Sequence, residues 1–279
     1  MNEPLSFFAR PMDSPEVHEI CGGLCAVFST SCPGSEAVNE DAALILSRDN
    51  GRSAVLVVAD GMGGSQFGEE ASRLTIELLT KAVSEAPGEA DDWRLPILDG
   101  IETAGLAVRE LGNGAGTTIA VAVIQDRKVC TFHVGDSGVL LLGQKGKIKH
   151  QTLSHSPVGF AVEAGLLDVH KAMHHEERHI VSNVVGSPDM WIEVGPARKL
   201  AAMDTLLVAS DGLLDNLLPG EIVDILRKGP IDEAANLLAG ETLNRMILPR
   251  NDEASKPDDL TFIIFRSYVH RTHSIPKAF

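Results

Sequence analysis

The amino-acid sequence predicts an α+β protein in which antiparallel strands carry the residues of interest. Apolar runs of strand length recur along the chain, as at 42–46, 54–59 and 206–209. Asp49-Asn50-Gly51 is a hairpin signal between the first two runs, and it predicts an antiparallel pair. Apolar residues at helical spacing predict amphipathic helices, whose stripes are core faces and not cofactor sites.

These patterns assign the elements in chain order. The predicted strands are 21–29, 42–46, 54–59, 117–124, 128–134, 139–142, 206–209 and 260–265. The predicted helices are 69–83, 96–111, 213–228 and 232–246. Pro87-Gly88 ends the first helix, and the glycine-rich stretch 112–116 ends the second.

Length and composition limit the classes of protein to which the chain can belong. The 279 residues suit one large domain or two small ones, with ample chain for a hydrophobic core. Hydrophobic residues make up 44%, which is typical of a globular protein. Lys and Arg number 24 against 39 Asp and Glu, so the formal net charge is −15. A surface this acidic argues against nucleic acid and anionic membrane as partners, and it favours cation binding.

The sequence also bears on the compartment of the cell. Residues 1–19 carry acids and prolines without a long apolar stretch, so no signal peptide is expected there. No segment approaches the ~20 apolar residues of a membrane span. The cysteines have no zinc-like pairing; they are Cys21, Cys25, Cys32 and Cys130. Reduced thiols in a cytoplasmic protein are expected, ahead of a metal or redox role for the first three.

Residues 154–196 differ from the rest of the chain, because they contain no long strand and many His, Glu, Gly and Pro residues. A short helix is expected at 162–167, and the whole segment is expected to lie over or beside a site, as long irregular segments often do. His175 and His179 have the i, i+4 spacing of a zinc-binding pair on a helix. A charged segment without metal is the favoured interpretation.

Acidic residues stand repeatedly at strand ends, although Asp is disfavoured within strands. Asp60, Asp136 and Asp211 each follow an apolar run, and Asp41 and Asp258 each precede one. The start of one antiparallel strand lies beside the end of its neighbour, so the hairpin brings Asp41 and Asp60 to one edge. Asp211 and Asp258 share an edge if their strands pair. Asp-Gly is also a common turn dipeptide, and the alternative is that the acids end strands at separate places.

Converging acids need a counter-charge, which a divalent cation supplies. Oxygen ligands without a cysteine or a histidine select a hard ion such as Mg²⁺ or Mn²⁺. Five acids exceed the needs of one Mg²⁺, so two or more ions are expected. A paired metal site activates water and clamps the oxygens of an in-line displacement, which makes phosphate ester hydrolysis the natural reaction.

Seven short motifs occur in the order that a known family shows. They are Asn39-Glu40-Asp41, Asp60-Gly61-Met62-Gly63-Gly64, Gly116-Thr117-Thr118, Gly135-Asp136-Ser137, Val162-Glu163-Ala164-Gly165, Ser210-Asp211-Gly212-Leu213-Leu214-Asp215 and Asp258-Asp259-Leu260-Thr261. Over roughly residues 23–265 the sequence resembles the metal-dependent protein serine/threonine phosphatases of the PPM (PP2C) family, particularly the compact bacterial members. The resemblance implies an αββα sandwich of two central antiparallel sheets flanked by helices. It also implies an N-terminal extension over 1–22, a phosphatase domain over 23–267 with a flap at about 154–186, and a tail over 268–279.

The resemblance further implies a centre of two or three Mn²⁺ or Mg²⁺ ions at one end of the sandwich. By position, Asp60 would bridge two ions, and the Gly61 carbonyl would bind one of them. Asp211 and Asp258 would hold the other ion. Asp136 would form a third-ion site with Asp211.

The implied reaction is hydrolysis of phosphoserine or phosphothreonine by direct attack of a metal-bridging hydroxide, without a phosphoenzyme. Glu40 and Asp41 would act mainly through metal-bound water, and Asp41 would orient the nucleophile; with Asp60 they are the predicted catalytic residues. Phosphoproteins are the expected substrates, and a serine/threonine kinase would act in opposition. The expected role is therefore dephosphorylation in cytoplasmic signalling.

Four positions depart from the family pattern. Glu36 stands where many members have an Arg that grips the substrate phosphate, and Gly138 replaces the arginine of the GDSR motif. Met62 replaces a histidine of eukaryotic members, as it does in bacterial relatives, and Asp259 replaces an Asn. Because Glu36 would repel a phosphate dianion, the alternative function is a metal-binding regulatory pseudophosphatase or binding module with weak hydrolysis. A phosphodiesterase that acts on nucleic acid or a nucleotide is disfavoured by the acidic charge.

Overall fold

The computed structural model describes residues 3–48, 53–62, 67–86, 93–250 and 253–267. The predictions that lie outside these ranges are the hairpin turn at 49–51, the glycines at 63–64, the helix end at 87–88 and the tail at 268–279. In the described ranges the strands are β1 (Leu5–Phe8), β2 (Glu16–Ile20), β3 (Gly23–Thr30), β4 (Asp41–Arg48), β5 (Ser53–Met62), β6 (Gly116–Thr117), β7 (Ile119–Gln125), β8 (Lys128–Val134), β9 (Gly138–Leu142), β10 (Ile148–Gln151), β11 (Glu193–Val194), β12 (Arg198–Lys199), β13 (Thr205–Ala209) and β14 (Leu260–Ser267).

The helices are unequal in length, and the longest follow the strongest helical patterns of the sequence. They are α1 (Phe67–Glu85), α2 (Arg94–Leu111), α3 (Pro157–Glu163), α4 (Val169–Ala172), α5 (Asp211–Leu214), α6 (Pro219–Leu226) and α7 (Ile231–Ile247), with a 3₁₀ turn at Glu176–His179. None of the helices described here combines the length and the apolar composition that crossing a membrane requires.

The strands form two antiparallel sheets. The first sheet has the order β1-β4-β5-β7-β8-β11, with β6 paired to β5 and β12 paired to β8. The second has the order β10-β9-β13-β14-β3-β2. The two pairings on which the predicted convergence of acids depends, β4 with β5 and β13 with β14, are both present and antiparallel.

Side chains of β5 alternate between two hydrophobic layers, because successive residues of a strand point to opposite faces. Leu56 and Val58 belong to the layer between the sheets, whereas Val57 packs in the layer that includes residues of α1 and α2. The same cluster of buried side chains extends through the second sheet to α6 and α7, where it includes Ile222 and Leu238. The order of layers is helix, sheet, sheet, helix, and the predicted αββα sandwich is confirmed.

Two predicted helices have other boundaries in the structure. The single helix predicted at 213–228 is wrong, because α5 ends at Leu214 and Pro219 begins α6 as one of its first residues. The short helix predicted at 162–167 lies earlier, at Pro157–Glu163. Gly165, with a φ of 69°, follows its end, and such a left-handed residue does not continue a helix.

The residues predicted as an N-terminal extension contribute one strand to each sheet. β1 pairs with β4 at an edge of the first sheet, and β2 pairs with β3 at an edge of the second. Phe7 and Ile20, one from each strand, are buried in the inter-sheet layer. The described part of this segment, residues 3–22, is therefore tied to both sheets, and the domain boundaries themselves stay a prediction.

Candidate metal centre

Asp41 and Asp60 lie directly opposite each other at one end of the β4–β5 pair, as the sequence predicted. Asp41 is 2% exposed, and its Oδ2 accepts a hydrogen bond of 2.9 Å from Ser210 Oγ. Ser210 stands at the end of β13, so this hydrogen bond joins the two sheets. The other carboxylate oxygen of Asp41, Oδ1, is buried and has no hydrogen-bond partner among the described residues.

The glycine–threonine motif holds the backbone at Asp60. Thr118 N and Thr117 Oγ1 each donate to Asp60 O at 2.8 Å, and Asp60 N donates to Thr118 Oγ1 at 3.2 Å. Thr118 Oγ1 also lies 2.6 Å from Ser137 Oγ, and Ser137 directly follows Asp136. The motif therefore links the strand end that carries Asp60 to the strand end that carries Asp136.

Close backbone packing at Gly61 sets the position of Glu40. Gly61 N donates to Glu40 O at 3.2 Å, and a Cβ on Gly61 would lie 2.1 Å from Gly68 O. A Cβ on Gly68 would in turn lie 2.6 Å from Glu40 Oε2. The two glycines allow the end of β5, the start of α1 and Glu40 to meet. Burial, followed by repulsion from Asp259 and Asp258, raises the pKa of Glu40.

On the second sheet, three acids contact the ammonium group of Lys256. Asp211 begins α5 and Asp258 lies just before β14, and the pairing of β13 with β14 brings both to one edge. Lys256 Nζ donates to Asp211 Oδ2, and it lies 3.1 Å from Asp258 Oδ2 and 3.2 Å from Asp215 Oδ2. Asp136, which follows β8, is buried nearby, and its Oδ1 has no partner among the described residues.

Burial and repulsion between neighbouring acids raise the pKa values of four carboxyl groups of the site, those of Asp41, Asp60, Asp136 and Asp215. For Asp41, Asp60 and Asp136 burial is the largest cause and neighbouring acids add to it, so the pKa of each lies well above its usual range. Burial, followed by repulsion from Asp211, raises the pKa of Asp215 to about 7. Each of these shifts means that the ionised carboxylate is unfavourable in its place unless a cation is near.

The donor set fits a hard divalent cation. Carboxylate and backbone carbonyl oxygens are the ligands that Mg²⁺ and Mn²⁺ prefer. Buried carboxylate oxygens normally have a partner, yet Oδ1 of Asp41 and Oδ1 of Asp136 have none in the described part of the chain. The structure therefore brings Asp41, Asp60, Asp136, Asp211 and Asp258 to one end of the sandwich, and the assignment of each to an ion stays a prediction.

Asp259 has a structural role that the sequence analysis did not assign. Its Oδ1 accepts a hydrogen bond from Cys32 N at 2.8 Å, and its Oδ2 accepts one from Glu40 N at 2.6 Å. The carboxylate thus ties the loop 31–40 to the start of β14 and positions Glu40. In the same loop, Glu36 is exposed.

Asp215 and Lys256 are further members of the site that the sequence analysis did not place in it. Asp215 follows Asp211 at i, i+4 spacing, and that spacing could have placed both on one helix face. Lys256 precedes Asp258 by two residues in a loop, where no periodic pattern marks it.

The start of the predicted flap is fixed beside Asp136 by a buried histidine. His155 Nδ1 accepts a hydrogen bond from Gly135 N at 3.1 Å, and its ring stacks on that of His133 with centroids 4.3 Å apart. His175, by contrast, caps a 3₁₀ turn that ends at His179, so the two do not lie on an α-helix; His175 is partly buried and His179 is exposed. The helical geometry required for the disfavoured zinc alternative is therefore not formed.

Sequence comparison places this site among known phosphatases. Residues 29–228 match the family described as protein phosphatase 2C. The serine/threonine phosphatase stp of Listeria monocytogenes is 30% identical to this chain over 239 residues, which cover 79% of this chain and 93% of that protein.

Solved structures share the sandwich. Serine/threonine phosphatase Stp1 from Staphylococcus aureus has a TM-score of 0.76 at 25% identity, covering 93% of this chain and 99% of that one. The catalytic domain of the serine/threonine protein phosphatase PstP, solved with two manganese ions, has a TM-score of 0.70 at 25% identity, covering 88% and 98%. The fold and the acidic centre define the class of metal-dependent phosphatases. The chain belongs to the protein phosphatase 2C family.

Proposed function

We propose that this chain is a metal-dependent phosphatase that hydrolyses phosphoserine and phosphothreonine in proteins. The observation that carries the proposal is the meeting of Asp41 and Asp60 with Ser210-Asp211 of the second sheet at one end of the sandwich. Family membership and the names of the relatives support the class of reaction. They give no support to the alternative of a regulatory pseudophosphatase.

Bound Mn²⁺ or Mg²⁺ would supply positive charge to the phosphate. It would also lower the pKa of bound water towards neutral pH. Asp60, the Gly61 carbonyl, Asp211 and Asp258 would hold two such ions. The two manganese ions of the PstP structure favour Mn²⁺ as the first metal to test.

The chain's own residues would position the attacking water and carry its proton. Asp41 is held through Oδ2 by Ser210 and through its backbone N–H by Asn39 Oδ1 at 2.9 Å. Its Oδ1, which has no hydrogen-bond partner among the described residues, would orient the water, and its raised pKa suits a group that accepts a proton. Glu40, held by Asp259, would orient a second water.

Phosphoproteins would be the substrates, with a serine/threonine kinase acting in opposition in cytoplasmic signalling. Cys21, Cys25 and Cys32 form no disulfide in the described part of the chain, which supports a reducing compartment. The net charge of −15 supports the expectation that neither nucleic acid nor an anionic membrane is a partner. Comparison of phosphoproteomes with and without the gene would identify the substrates.

The purified protein with Mn²⁺ is expected to hydrolyse p-nitrophenyl phosphate and a phosphothreonine peptide. Removal of the metal with EDTA should lower kcat by at least about 10³-fold, because each electrostatic contact to the reacting group contributes up to that factor. Restoring Mn²⁺ after dialysis should restore the rate, which controls for irreversible unfolding. Metal-replete, folded protein without turnover on either substrate would contradict the proposal.

Glu36→Arg is expected to lower KM for a phosphothreonine peptide by up to about 10-fold, with kcat little changed, because it replaces repulsion of the phosphate dianion by attraction. Steady-state kinetics at two ionic strengths would measure the effect, which salt should weaken. Glu102→Arg, at an exposed position of α2, makes the same change in net charge and should leave KM unchanged. An unchanged KM in Glu36→Arg would mean that another cation already binds the phosphate.

A further inference from the structure

A cavity of about 500 Å³ lies between the predicted flap and the second sheet. Residues of α3 and α4 form the wall on the side of the flap, and residues of β9, β13 and α6 form the opposite wall. The volume is within the range of cavities that bind ligands in proteins. We call this space the flap cavity.

Aliphatic side chains line both walls of the flap cavity. Leu140 and Leu207 of the sheet and Ile222 of α6 are each at most 4% exposed. Val158 and Met173 on the side of the flap are each 8% exposed. A polar group placed against these walls would lose its hydrogen bonds with water, whereas an aliphatic group would be stabilised by burial. The body of the cavity therefore fits an apolar guest.

One end of the flap cavity is part of the acidic centre, because Asp136 and Asp215 belong to its lining. Gly138, which replaces the arginine of the GDSR motif, lines the cavity as well. A Cβ on Gly138 would lie 3.0 Å from Thr152 Oγ1 and 3.1 Å from Leu214 Cδ1, and both of these residues are part of the lining. A side chain at position 138 would therefore enter the cavity wall, and glycine leaves the space beside Asp136 without one.

Hydrogen bonds to the backbone hold the flap wall of the cavity in place. Arg178 donates to Met173 O and, at 2.6 Å, to Ser255 O, which joins the flap to the loop before β14. At the start of α3, Ser156 Oγ accepts a hydrogen bond from Gly159 N at 2.9 Å. Because these contacts fix the wall, a guest would enter a preformed space, and its binding would not require ordering of the flap.

We propose that the flap cavity binds a large aliphatic side chain, such as Leu or Met, of the phosphoprotein substrate within three residues of the phosphorylated one. The inference rests on the proposed function and narrows its substrate class. Three residues of extended chain span about 10 Å, so such a side chain can enter at the end lined by Asp136 and Asp215 while the phosphate lies at the metal centre. The carboxylates at that end would repel an acidic residue of the substrate.

A series of phosphothreonine peptides tests the inference. At each of the three positions before and after phosphothreonine, Ala is replaced in turn by Leu, Met, Arg or Asp, and kcat and KM are measured with Mn²⁺. At one position Leu and Met should lower KM by about 10-fold to 100-fold relative to Ala, which is the factor that full burial of such a side chain gives. Equal KM values at every position, or a preference for Arg or Asp over Leu, would overturn the inference.

Filling the cavity should remove this preference. Ala172→Phe places a large side chain in the wall that α4 contributes. It should raise KM for the Leu peptide to that for the Ala peptide and leave the hydrolysis of p-nitrophenyl phosphate unchanged. Ala164→Phe makes the same substitution at an exposed residue of the flap that does not line the cavity, and it should keep the preference. If Ala172→Phe does not fold, Val162→Phe in α3 fills the same cavity. A folded filling variant that keeps the preference would overturn the inference.

Binding measured without turnover separates this inference from the proposed function. Peptides with a phosphonate analogue of phosphothreonine are not hydrolysed, and fluorescence anisotropy with Mn²⁺ would compare their affinities. Tighter binding of the Leu analogue, without turnover of any phosphate substrate, would contradict the proposed function and leave the role of the flap cavity standing. Turnover of p-nitrophenyl phosphate and of all the peptides without preference would overturn the role of the flap cavity alone.

Discussion

Asp60→Asn is expected to reduce kcat with Mn²⁺ by about 10³-fold and, at the same time, to make the metal-free protein more stable. Burial, followed by repulsion from Asp211 and Asp41, raises the pKa of Asp60 well above its usual range. The ionised carboxylate is therefore unfavourable in the fold until a cation neutralises it. Asn removes the repulsion, but it also removes the anionic oxygen that would bridge two ions.

The size of this stabilisation depends on pH. Because the folded pKa of Asp60 is raised, the metal-free wild type loses stability as pH rises from the unfolded value towards the folded value, and the loss persists above it. The advantage of Asp60→Asn in EDTA should thus be full at high pH and disappear below about pH 4, where the carboxyl is protonated in both states. Melting temperatures measured across this range in EDTA would show it.

A matched exposed acid controls for the loss of one charge. Asp99→Asn, on the exposed side of α2, should change neither kcat nor the response of the melting temperature to Mn²⁺. If Asp60→Asn keeps its activity with Mn²⁺, Asp60 is not the bridging ligand. If it melts below the wild type in EDTA, the repulsion argument fails.

The edge that carries Asp41 and Asp60 could be predicted from sequence because local physics determines it. The hairpin signal between two apolar runs predicts one antiparallel partner for each, and the observed register places Asp41 opposite Asp60. Asp211 and Asp258 depended on a long-range pairing that no local signal specifies. The observed register, with Ala209 opposite Phe262, fulfils that condition.

The contacts that could not be predicted are those made by loops with distant parts of the chain. Asp259 accepts from Cys32 N and Glu40 N, more than 200 residues away in sequence, and neither periodicity nor turn chemistry encodes such a contact. Lys256 likewise can be recognised as part of the site only in the folded chain, where Asp211 and Asp215 contact it. Acidic residues at strand ends mark the candidate ligands of a site more readily than the groups that balance their charge.

Gly212→Ala is expected to destabilise the protein by about 3 kcal/mol, at the upper end of the range for overpacking, and to weaken Mn²⁺ binding. A Cβ at position 212 would lie 1.8 Å from Asp259 O and 2.9 Å from Asp259 C. These are backbone atoms, so no side-chain rotation relieves the clash, and the start of α5 must move away from the start of β14. That movement separates Asp211 from Asp258, the two residues expected to hold one ion.

Urea unfolding in EDTA would measure the stability, and Mn²⁺ titration would measure the affinity. Gly220→Ala is the matched control, because position 220 lies in the first turn of α6, where a Cβ would meet no atom of the described residues within 4 Å. Ala at that position should be neutral or stabilising by up to about 1 kcal/mol. Equal unfolding midpoints for Gly212→Ala and the wild type would show that α5 can shift freely. Lost stability with unchanged Mn²⁺ affinity would instead show that Asp211 and Asp258 do not hold the same ion.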